Sequence, residues 1–141
     1  MRPLPDRVIA AVISRGDAFL VCRRPLTKRF GGLWEFPGGK CEPGETDAET
    51  IRRELWEELD VEVAEVGVED FVTEDPSGRF LLVFRPVQIR GEPVQKEHID
   101  LRWIPLRDLL GIPLIEGDRR YVEFSLAKAT APDQAGNAKL T

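Results

Sequence analysis

Short apolar runs alternate with polar or turn-forming segments along the first third of the chain. Residues 8–13 form a continuous apolar run, which is typical of a buried strand. A turn signal at residues 14–17 separates this run from residues 18–22, so the two apolar segments are predicted to form a β-hairpin. A further short strand is predicted over residues 33–36, and residues 37–40 are predicted to form a forced turn.

The strongest periodic pattern is a helical one in the second third of the chain. Thr46 followed by Glu49 forms a capping box, so a helix is expected to begin at Asp47. Its buried face is predicted from apolar residues at helical spacing, namely Ala48, Ile51, Leu55 and Leu59. The helix is expected to end near Asp60.

Further strands are predicted after this helix. They cover residues 61–68 with an extension at 71–72, residues 80–89 and residues 101–104. Arg85 and Pro86 interrupt the second of these strands and suggest a sheet edge or a bulge there.

The C-terminal third is predicted to be helical at two places, one turn over residues 105–110 and a last helix over residues 118–129. Several strands, one strong central helix and one late helix together indicate the α+β fold class. We therefore predict a single domain over residues 1–129, followed by a flexible, small and polar tail at residues 130–141.

The composition is that of a globular domain, with 42% hydrophobic and 32% charged residues in a chain of 141. No apolar run approaches the ~20 residues of a membrane helix, and no secretory signal is recognised, so no membrane partner is expected. Cys22 and Cys41 are expected to be reduced thiols of a cytoplasmic protein. The net charge of −5 argues against nucleic-acid binding, but it is compatible with a phosphorylated substrate where metal ions bridge the two negative partners.

Candidate chemistry is concentrated on the predicted central helix. Glu54, Glu57 and Glu58 lie at i, i+3 and i+4, within about 100° of arc and beside the apolar face. Carboxylates that converge at the border of a core repel one another and need a counter-charge, and Mg²⁺ prefers oxygen ligands of this kind. The alternative is an ordinary solvated helix face that also carries Arg52 and Arg53.

The loop before this helix contains a second candidate element. Gly38 and Gly39 allow the backbone to approach a ligand closely, with carbonyls directed at a metal and N–H groups at phosphate. Lys40 and Arg53 supply positive charge, and Arg53 is expected to tether the loop by pairing with Glu45. The loop and the helix together therefore predict a site for metal and phosphate.

Residues 38–61 resemble the Nudix box, G-x5-E-x7-R-E-U-x-E-E-x-G-U, in which U is an aliphatic residue. The positions that match in register are Gly39, Glu45, Arg53, Glu54, Leu55, Glu57, Glu58 and Val61. Asp60 stands where the family has glycine. That glycine would end the helix in a left-handed conformation, which Asp tolerates better than most residues do.

Similarity to the Nudix hydrolase superfamily implies a mixed sheet sandwiched between helices, with the box as a loop-helix-loop. It also implies a reaction in which water attacks a phosphorus of a nucleoside diphosphate linked to another group. By this resemblance Glu57 and Glu58 are metal ligands, and Glu54 is a metal ligand or the general base. The Gly38 carbonyl is a further ligand, Arg53 orients the cluster, and the expected cofactor is Mg²⁺, with Mn²⁺ as a substitute.

The resemblance extends beyond the box to the MutT-like branch, whose members hydrolyse nucleoside triphosphates to monophosphates and pyrophosphate. Residues 33–40 (LWEFPGGK) are similar to this branch, and Glu97 lies where the branch carries an additional metal ligand. Arg24 lies where the branch has an arginine near the phosphates. Gly39 and Lys40 are further candidates for contact with the substrate.

Asp118 lies where the same branch places a base-reading asparagine or aspartate. Its carboxyl would accept hydrogen bonds from a base amino group, or donate one when protonated. A simpler alternative exists for each of these candidates: Glu97 as a solvated loop acid, Arg24 as a surface arginine and Asp118 as a helix N-cap.

For the aromatic and histidine side chains near these motifs, a functional role is less strongly indicated by the sequence. Trp34, Phe36 and Phe80 are candidates for stacking on a base, although core packing is the simpler explanation. His98 is the only histidine of the sequence and is predicted to lie on the surface.

Two other functions stay open on the sequence. One is an ADP-ribose or dinucleoside polyphosphate hydrolase, because Pro76 lies at a distance after the box that resembles the ADP-ribose branch. The other is a non-catalytic nucleotide-binding module, against which the complete set of box glutamates argues. For a triphosphate substrate, an oxidised purine such as 8-oxo-dGTP and a CTP-like pyrimidine are equally compatible, and the protein is expected to be a monomer or homodimer.

Overall fold

The computed structural model describes residues 4–130, which contain eight strands, two α-helices and one 3₁₀ helix. In chain order the elements are β1 (Asp6–Arg15), β2 (Ala18–Arg23), β3 (Trp34–Glu35), β4 (Gly38–Lys40), α1 (Asp47–Leu59), β5 (Glu62–Val66), β6 (Phe71–Glu74), β7 (Phe80–Arg90), β8 (Asp100–Pro105), the 3₁₀ helix (Leu106–Gly111) and α2 (Glu116–Thr130). No helix among these residues is both long enough and apolar enough to cross a membrane.

The mixed sheet is organised around β1. This strand runs parallel to β7 and antiparallel to β2 and β4, and its pairing with β2 confirms the predicted hairpin. β7 pairs in addition with β6 and with β5, and β2 pairs with β3 and β8. All pairs except β1 with β7 are antiparallel, so the predicted α+β class with a mixed sheet is confirmed.

Alternate residues of β1 enter two separate hydrophobic clusters. Ile9, Ala11 and Ile13 pack in the cluster that contains the apolar face of α1. Ala10 and Val12 pack in the other cluster, which contains Tyr121 and Val122 of α2. Because successive side chains of a strand point to opposite faces, one helix covers each face of the sheet. This is the predicted sandwich of a sheet between helices.

Both ends of α1 are fixed by local interactions. The Thr46 hydroxyl accepts a hydrogen bond from the Glu49 N–H (3.1 Å), and the Glu49 carboxylate accepts one from the Thr46 N–H (2.9 Å). These two bonds confirm the predicted capping box. At the other end Asp60 adopts the left-handed conformation (φ 55°), and its N–H donates to the Trp56 carbonyl. Asp60 therefore ends the helix as the family glycine would.

Three details differ from the sequence-based expectations. Residues 37–40 are not only a turn, because Gly38–Lys40 is a strand paired with β1. Asp118 is not an N-cap, because α2 begins two residues earlier, at Glu116. Thr130 belongs to α2, and the rest of the predicted tail, residues 131–141, lies outside the described residues.

The prediction of a sheet edge at Arg85 and Pro86 is wrong, because β7 has partners on both sides. β6 pairs with residues 81–84 and β5 pairs with residues 87–90, so Pro86 lies at the junction where one antiparallel partner replaces the other. A proline, which has no N–H, is tolerated at such a junction because neither ladder needs its hydrogen bond there.

Candidate active site

A cavity of about 750 Å³ lies along the sheet and contains most of the residues singled out by the sequence. The predicted site residues in its lining are Arg24, Gly38, Gly39, Lys40, Glu58, Glu97 and Asp118. Glu54 lies behind Gly39, and Arg53 and Glu57 lie beside it on α1. The structure therefore brings residues from β4, α1, α2, the segment directly after β2 and the loop before β8 to one site.

Glu58 is the buried acid of this site, with 8% of its surface exposed. Its Oε2 accepts a hydrogen bond from the Gly38 N–H at 3.3 Å. Burial, followed by the nearby charges of Glu54 and Glu35, raises the pKa of Glu58 to about 9. A carboxylate in this position repels its neighbours, so a bound cation would stabilise its ionised form.

Gly38 and Gly39 have separate steric reasons to be glycine. Gly38 has a φ of 147°, and a Cβ there would overlap the carbonyl of Ile9 on β1. A Cβ on Gly39 would overlap the carboxylate of Glu54. The Glu54 carboxylate therefore lies directly against the backbone of β4, and burial raises its pKa while the adjacent Arg53 opposes this shift.

Arg53 connects the loop to the helix. Its guanidinium donates to both carboxylate oxygens of Glu45 at 2.8 and 2.9 Å, to Glu54 at 2.8 Å and to the Lys40 carbonyl at 3.1 Å. The predicted pair with Glu45 is present, and hydrogen bonds from Arg53 lower the pKa of Glu45 to about 2. Because one planar guanidinium makes all these contacts, it fixes the Glu54 carboxylate relative to the loop.

The three box glutamates do not meet at one point. Glu57 has a side chain that is 55% exposed and lies 3.7 Å from Arg53, whereas Glu58 is directed at Gly38. Within residues 4–130 no three acidic, histidine or cysteine side chains are already arranged to hold a metal ion. Their donor chemistry still suits a hard cation, because Glu54 and Glu58 are oxygen donors with raised pKa values beside a close backbone.

The two cationic candidates are present in the cavity lining but have protein partners. The Arg24 guanidinium donates to Glu35 at 3.1 Å and to the Arg29 carbonyl at 2.8 Å. The Lys40 ammonium pairs with Asp6 at 3.1 Å in an exposed position. An exposed pair of this kind contributes little to stability, so Lys40 can exchange Asp6 for a phosphate oxygen at low cost.

Asp118 also lines the cavity and is 7% exposed. Its Oδ2 accepts a hydrogen bond of 2.7 Å from the Phe36 N–H. Burial raises the pKa of Asp118 to about 8, which favours the protonated form of this carboxyl. The neutral group can both donate and accept a hydrogen bond toward a base.

The aromatic candidates lie in the core, in the cavity lining or in both. Trp34 and Phe36 are buried in the α2-side cluster, and the Phe36 ring packs edge-on against Phe84 and Tyr121, as the core interpretation expects. Phe36 also lines the cavity, as does Phe80, which is partly buried.

Two residues of the site were not recognised from the sequence. His98 is not on the surface as predicted, because only 6% of it is exposed. Its Nε2 lies 2.9 Å from Glu35 Oε2 and 3.8 Å from Glu58 Oε1. Glu35 is a polar residue between two apolar ones on a short strand, and that position was the one local signal for it.

Comparison with known proteins identifies relatives along most of the chain. Residues 3–124 match the family model of the NUDIX domain. The chain is 44% identical over 93 residues to the 8-oxo-dGTP diphosphatase of Proteus vulgaris, covering 64% of this chain and 83% of that protein. It is 36% identical over 129 residues to the CTP pyrophosphohydrolase of Escherichia coli strain K12, covering 88% and 93%. A solved structure of MutT, from work on Aliivibrio salmonicida and Vibrio cholerae, superposes with a TM-score of 0.75 at 27% identity, over 88% of this chain and 98% of that one.

Proposed function

Because the chain belongs to the NUDIX domain family and is a MutT-like Nudix hydrolase, we propose that it converts a nucleoside triphosphate to the monophosphate and pyrophosphate. The predicted family and branch are confirmed by these relatives, whose names refer to 8-oxo-dGTP and to CTP. The complete set of box glutamates belongs to an enzyme and not to a non-catalytic binding module.

The observation that carries the proposal is a single cavity whose lining combines two chemically different groups of residues. Glu58 and the Gly38-Gly39 backbone form an acidic, closely packed surface suited to a divalent cation and phosphates. Asp118 and Phe36 add a carboxyl with a raised pKa and an apolar ring. A volume of about 750 Å³ accommodates a nucleotide between them.

The family depends on divalent metals, and we assign Mg²⁺ to the acidic surface, with Mn²⁺ as a substitute. Glu57, Glu58 and the Gly38 carbonyl would hold it, with Glu97 as an additional ligand and Glu54 as a ligand or the general base. When bound, the metal would neutralise phosphate charge and make a water molecule more acidic.

The remaining residues orient groups by direct contact. Arg53 holds the Glu54 carboxylate through its bond of 2.8 Å, so this oxygen is fixed before substrate binds. The Gly39 backbone, Lys40 and Arg24 lie in the cavity lining, where they would contact the phosphates. Asp118 would bind the base, and its protonated form favours a base that presents a hydrogen-bond acceptor.

The test is pyrophosphate release from normal and oxidised nucleoside triphosphates, with ADP-ribose in the same panel and Mg²⁺ present. Wild type is compared with Glu58→Gln, and the exposed Glu62→Gln serves as a matched acid-to-amide control. We expect turnover of at least one triphosphate that Glu58→Gln lowers at least about 100-fold and Glu62→Gln leaves unchanged. If ADP-ribose were cleaved faster than every triphosphate, the enzyme would be assigned to the ADP-ribose branch instead. Absence of metal-dependent turnover would reject the hydrolase.

A cytoplasmic location is also part of the proposal. It is supported by Cys22 and Cys41, which are both free thiols in the structure, as is usual in a reducing compartment. A nucleotide substrate without stable nucleic-acid binding fits the acidic net charge of −5. The protein is proposed to act as a monomer or a homodimer.

A further inference from the structure

We propose that His98 is a positioning residue, whose buried imidazole anchors the loop between β7 and β8 and thereby sets the location of Glu97 in the cavity. The inference rests on the proposed function, in which the Glu97 carboxylate is a metal ligand. It adds an anchor that connects this carboxylate to β3 on the far side of the site.

The loop that carries Glu97 has little structure of its own. Residues 91–99 contain neither helix nor strand, and His98 is the buried residue among 91–100, where the others are exposed or half-buried. Two backbone bonds attach the loop, from the Val94 N–H to the Leu59 carbonyl at 2.8 Å and from the Ile99 N–H to the Arg23 carbonyl at 3.0 Å. The backbone bonds thus leave residues 95–98 to be positioned by side chains.

Two side chains attach that interval: Lys96 forms an exposed ion pair with Asp60 at 2.9 Å, and His98 supplies the buried attachment. Its Nε2 lies 2.9 Å from Glu35 Oε2, and because a carboxylate oxygen accepts, the imidazole N–H donates. Glu35 is held in turn by Arg24 at 3.1 Å. The chain of contacts Arg24–Glu35–His98 therefore fixes the loop to β3 and to the residue directly after β2, immediately next to Glu97.

The polar imidazole of His98 is poorly suited to a role in which the side chain only fills space. Its Nδ1 is buried without a hydrogen-bond partner among the described residues. A buried polar atom without a partner is costly, and an apolar side chain such as leucine would fill the same space without that cost. The site therefore retains the imidazole for its bond to Glu35.

The Glu97 side chain is exposed, so its conformational freedom would be reduced by an anchor at the adjacent His98. It lines the cavity, and its charge lies near enough to contribute to the field at Glu58. With His98 fixed, the adjacent backbone at Glu97 is fixed as well, so its carboxylate needs little further ordering to meet a cation beside Glu58. Groups that orient a metal ligand in this way change metal affinity about 10–100-fold when removed.

The experiment measures Mn²⁺ binding by electron paramagnetic resonance, which does not require turnover, together with the Mg²⁺ concentration for half-maximal pyrophosphate release. The variants are His98→Leu, which keeps the packing, His98→Gln, which keeps a donor, Glu97→Gln and the double variant Glu97→Gln/His98→Leu. Glu92→Gln is the matched control, because Glu92 is an exposed acid of the same loop. Urea unfolding of each variant separates anchoring from loss of fold.

We expect His98→Leu to weaken Mn²⁺ binding about tenfold. We also expect Glu97→Gln and the double variant to bind Mn²⁺ equally, and His98→Gln to recover part of the loss. The proposal is overturned if His98→Leu binds Mn²⁺ like wild type, if the two substitutions act additively, or if Glu97→Gln has no effect. If His98→Leu does not fold, His98→Gln and Glu35→Gln are compared with Glu97→Gln by the same criteria. Failure of the proposed function is distinguished by a wild type that binds Mn²⁺ and releases no pyrophosphate.

Discussion

The carboxyl of Asp118 accepts a 2.7 Å hydrogen bond from the backbone N–H of Phe36. This bond connects the first turn of α2 to the segment that leads into β4, so two parts of the cavity lining that are distant in sequence are joined directly. Burial raises the pKa of the Asp118 carboxyl, and the hydrogen bond from Phe36 opposes this shift without cancelling it.

Protonation of Asp118 predicts that the metal-free protein loses stability as pH rises. The pKa of about 8 in the folded state exceeds the ordinary value of 3.8, so the folded state binds the proton more tightly than the unfolded state. The stabilisation is complete below the ordinary value and is lost as pH rises toward the folded-state pKa. The Asp118→Asn variant keeps an acceptor for the Phe36 N–H but has no proton to lose. It should therefore remove the Asp118 part of the decline in the free energy of unfolding between pH 5 and 8, which is on the order of 3 kcal/mol.

This decline is measured by urea unfolding at several pH values without divalent metal. Glu58 has a pKa of about 9 against an ordinary value of 4.5 and contributes a comparable slope, so the Asp118→Asn curve should keep roughly half of the decline. Equal slopes for wild type and variant would show that Asp118 is ionised in the folded protein at neutral pH.

Asp60 offers a test of the helix end. Glycine adopts its left-handed conformation freely, so Asp60→Gly should stabilise the protein by about 1 kcal/mol, whereas Asp60→Ala should destabilise it by a similar amount. The exposed pair of Asp60 with Lys96, lost in both variants, contributes little. The free energy of unfolding of the two variants is measured by thermal or urea unfolding. A change of the same sign in both would contradict backbone strain at Asp60 in its left-handed conformation.

A substitution at Gly39 tests whether the close contact between the β4 backbone and the Glu54 carboxylate matters for activity. In Gly39→Ala the added Cβ would overlap the Glu54 carboxylate and displace it, so kcat should fall about tenfold or more while the fold is kept. Gly111→Ala is the matched control, because a Cβ at that position meets no atom within 4 Å. Pyrophosphate release and urea unfolding are compared for both variants. Full activity of Gly39→Ala would mean that the position of Glu54 is not critical.

A substitution at Arg53 tests whether activity depends on the positive charge of this residue or on its orientation of Glu54. Arg53→Lys keeps the charge but cannot bond both Glu45 and Glu54 through one planar group, so kcat/KM should fall about 10–100-fold. Arg52→Lys provides the control from the neighbouring position, where the guanidinium bonds only the Val63 carbonyl among residues 4–130. If the two lysine variants had equal activity, the bidentate contact would have no catalytic importance.

Local sequence signals predicted the elements that local interactions create. The capping box at Thr46, the apolar face of α1 and the turn between β1 and β2 each depend on residues a few positions apart, and they are present, except that Ala48 is only half-buried. The pair of Arg53 with Glu45 was predictable for the same reason, because the loop and helix are consecutive.

Long-range contacts created the features that were missed. The burial of His98 depends on Glu35, which is distant in sequence, and the polar residues around His98 indicate a surface loop. The pairing of β4 with β1 likewise requires a partner that Gly38–Lys40 does not encode by itself. Pro86 suggested an edge because its sequence neighbours do not reveal that β6 and β5 divide the length of β7.

The parallel pairing of β1 with β7 has a consequence for the order of folding. It joins Asp6 to Phe80 and Ile13 to Val87, whereas the β1–β2 hairpin and α1 close over short stretches of chain. Closure of a long loop carries a larger entropy cost, so we expect the hairpin and α1 to form before β7 docks on β1. During synthesis α1 and its glutamates emerge from the ribosome before β7, and the cavity is complete only after the loop before β8 and α2 have added their residues to its lining.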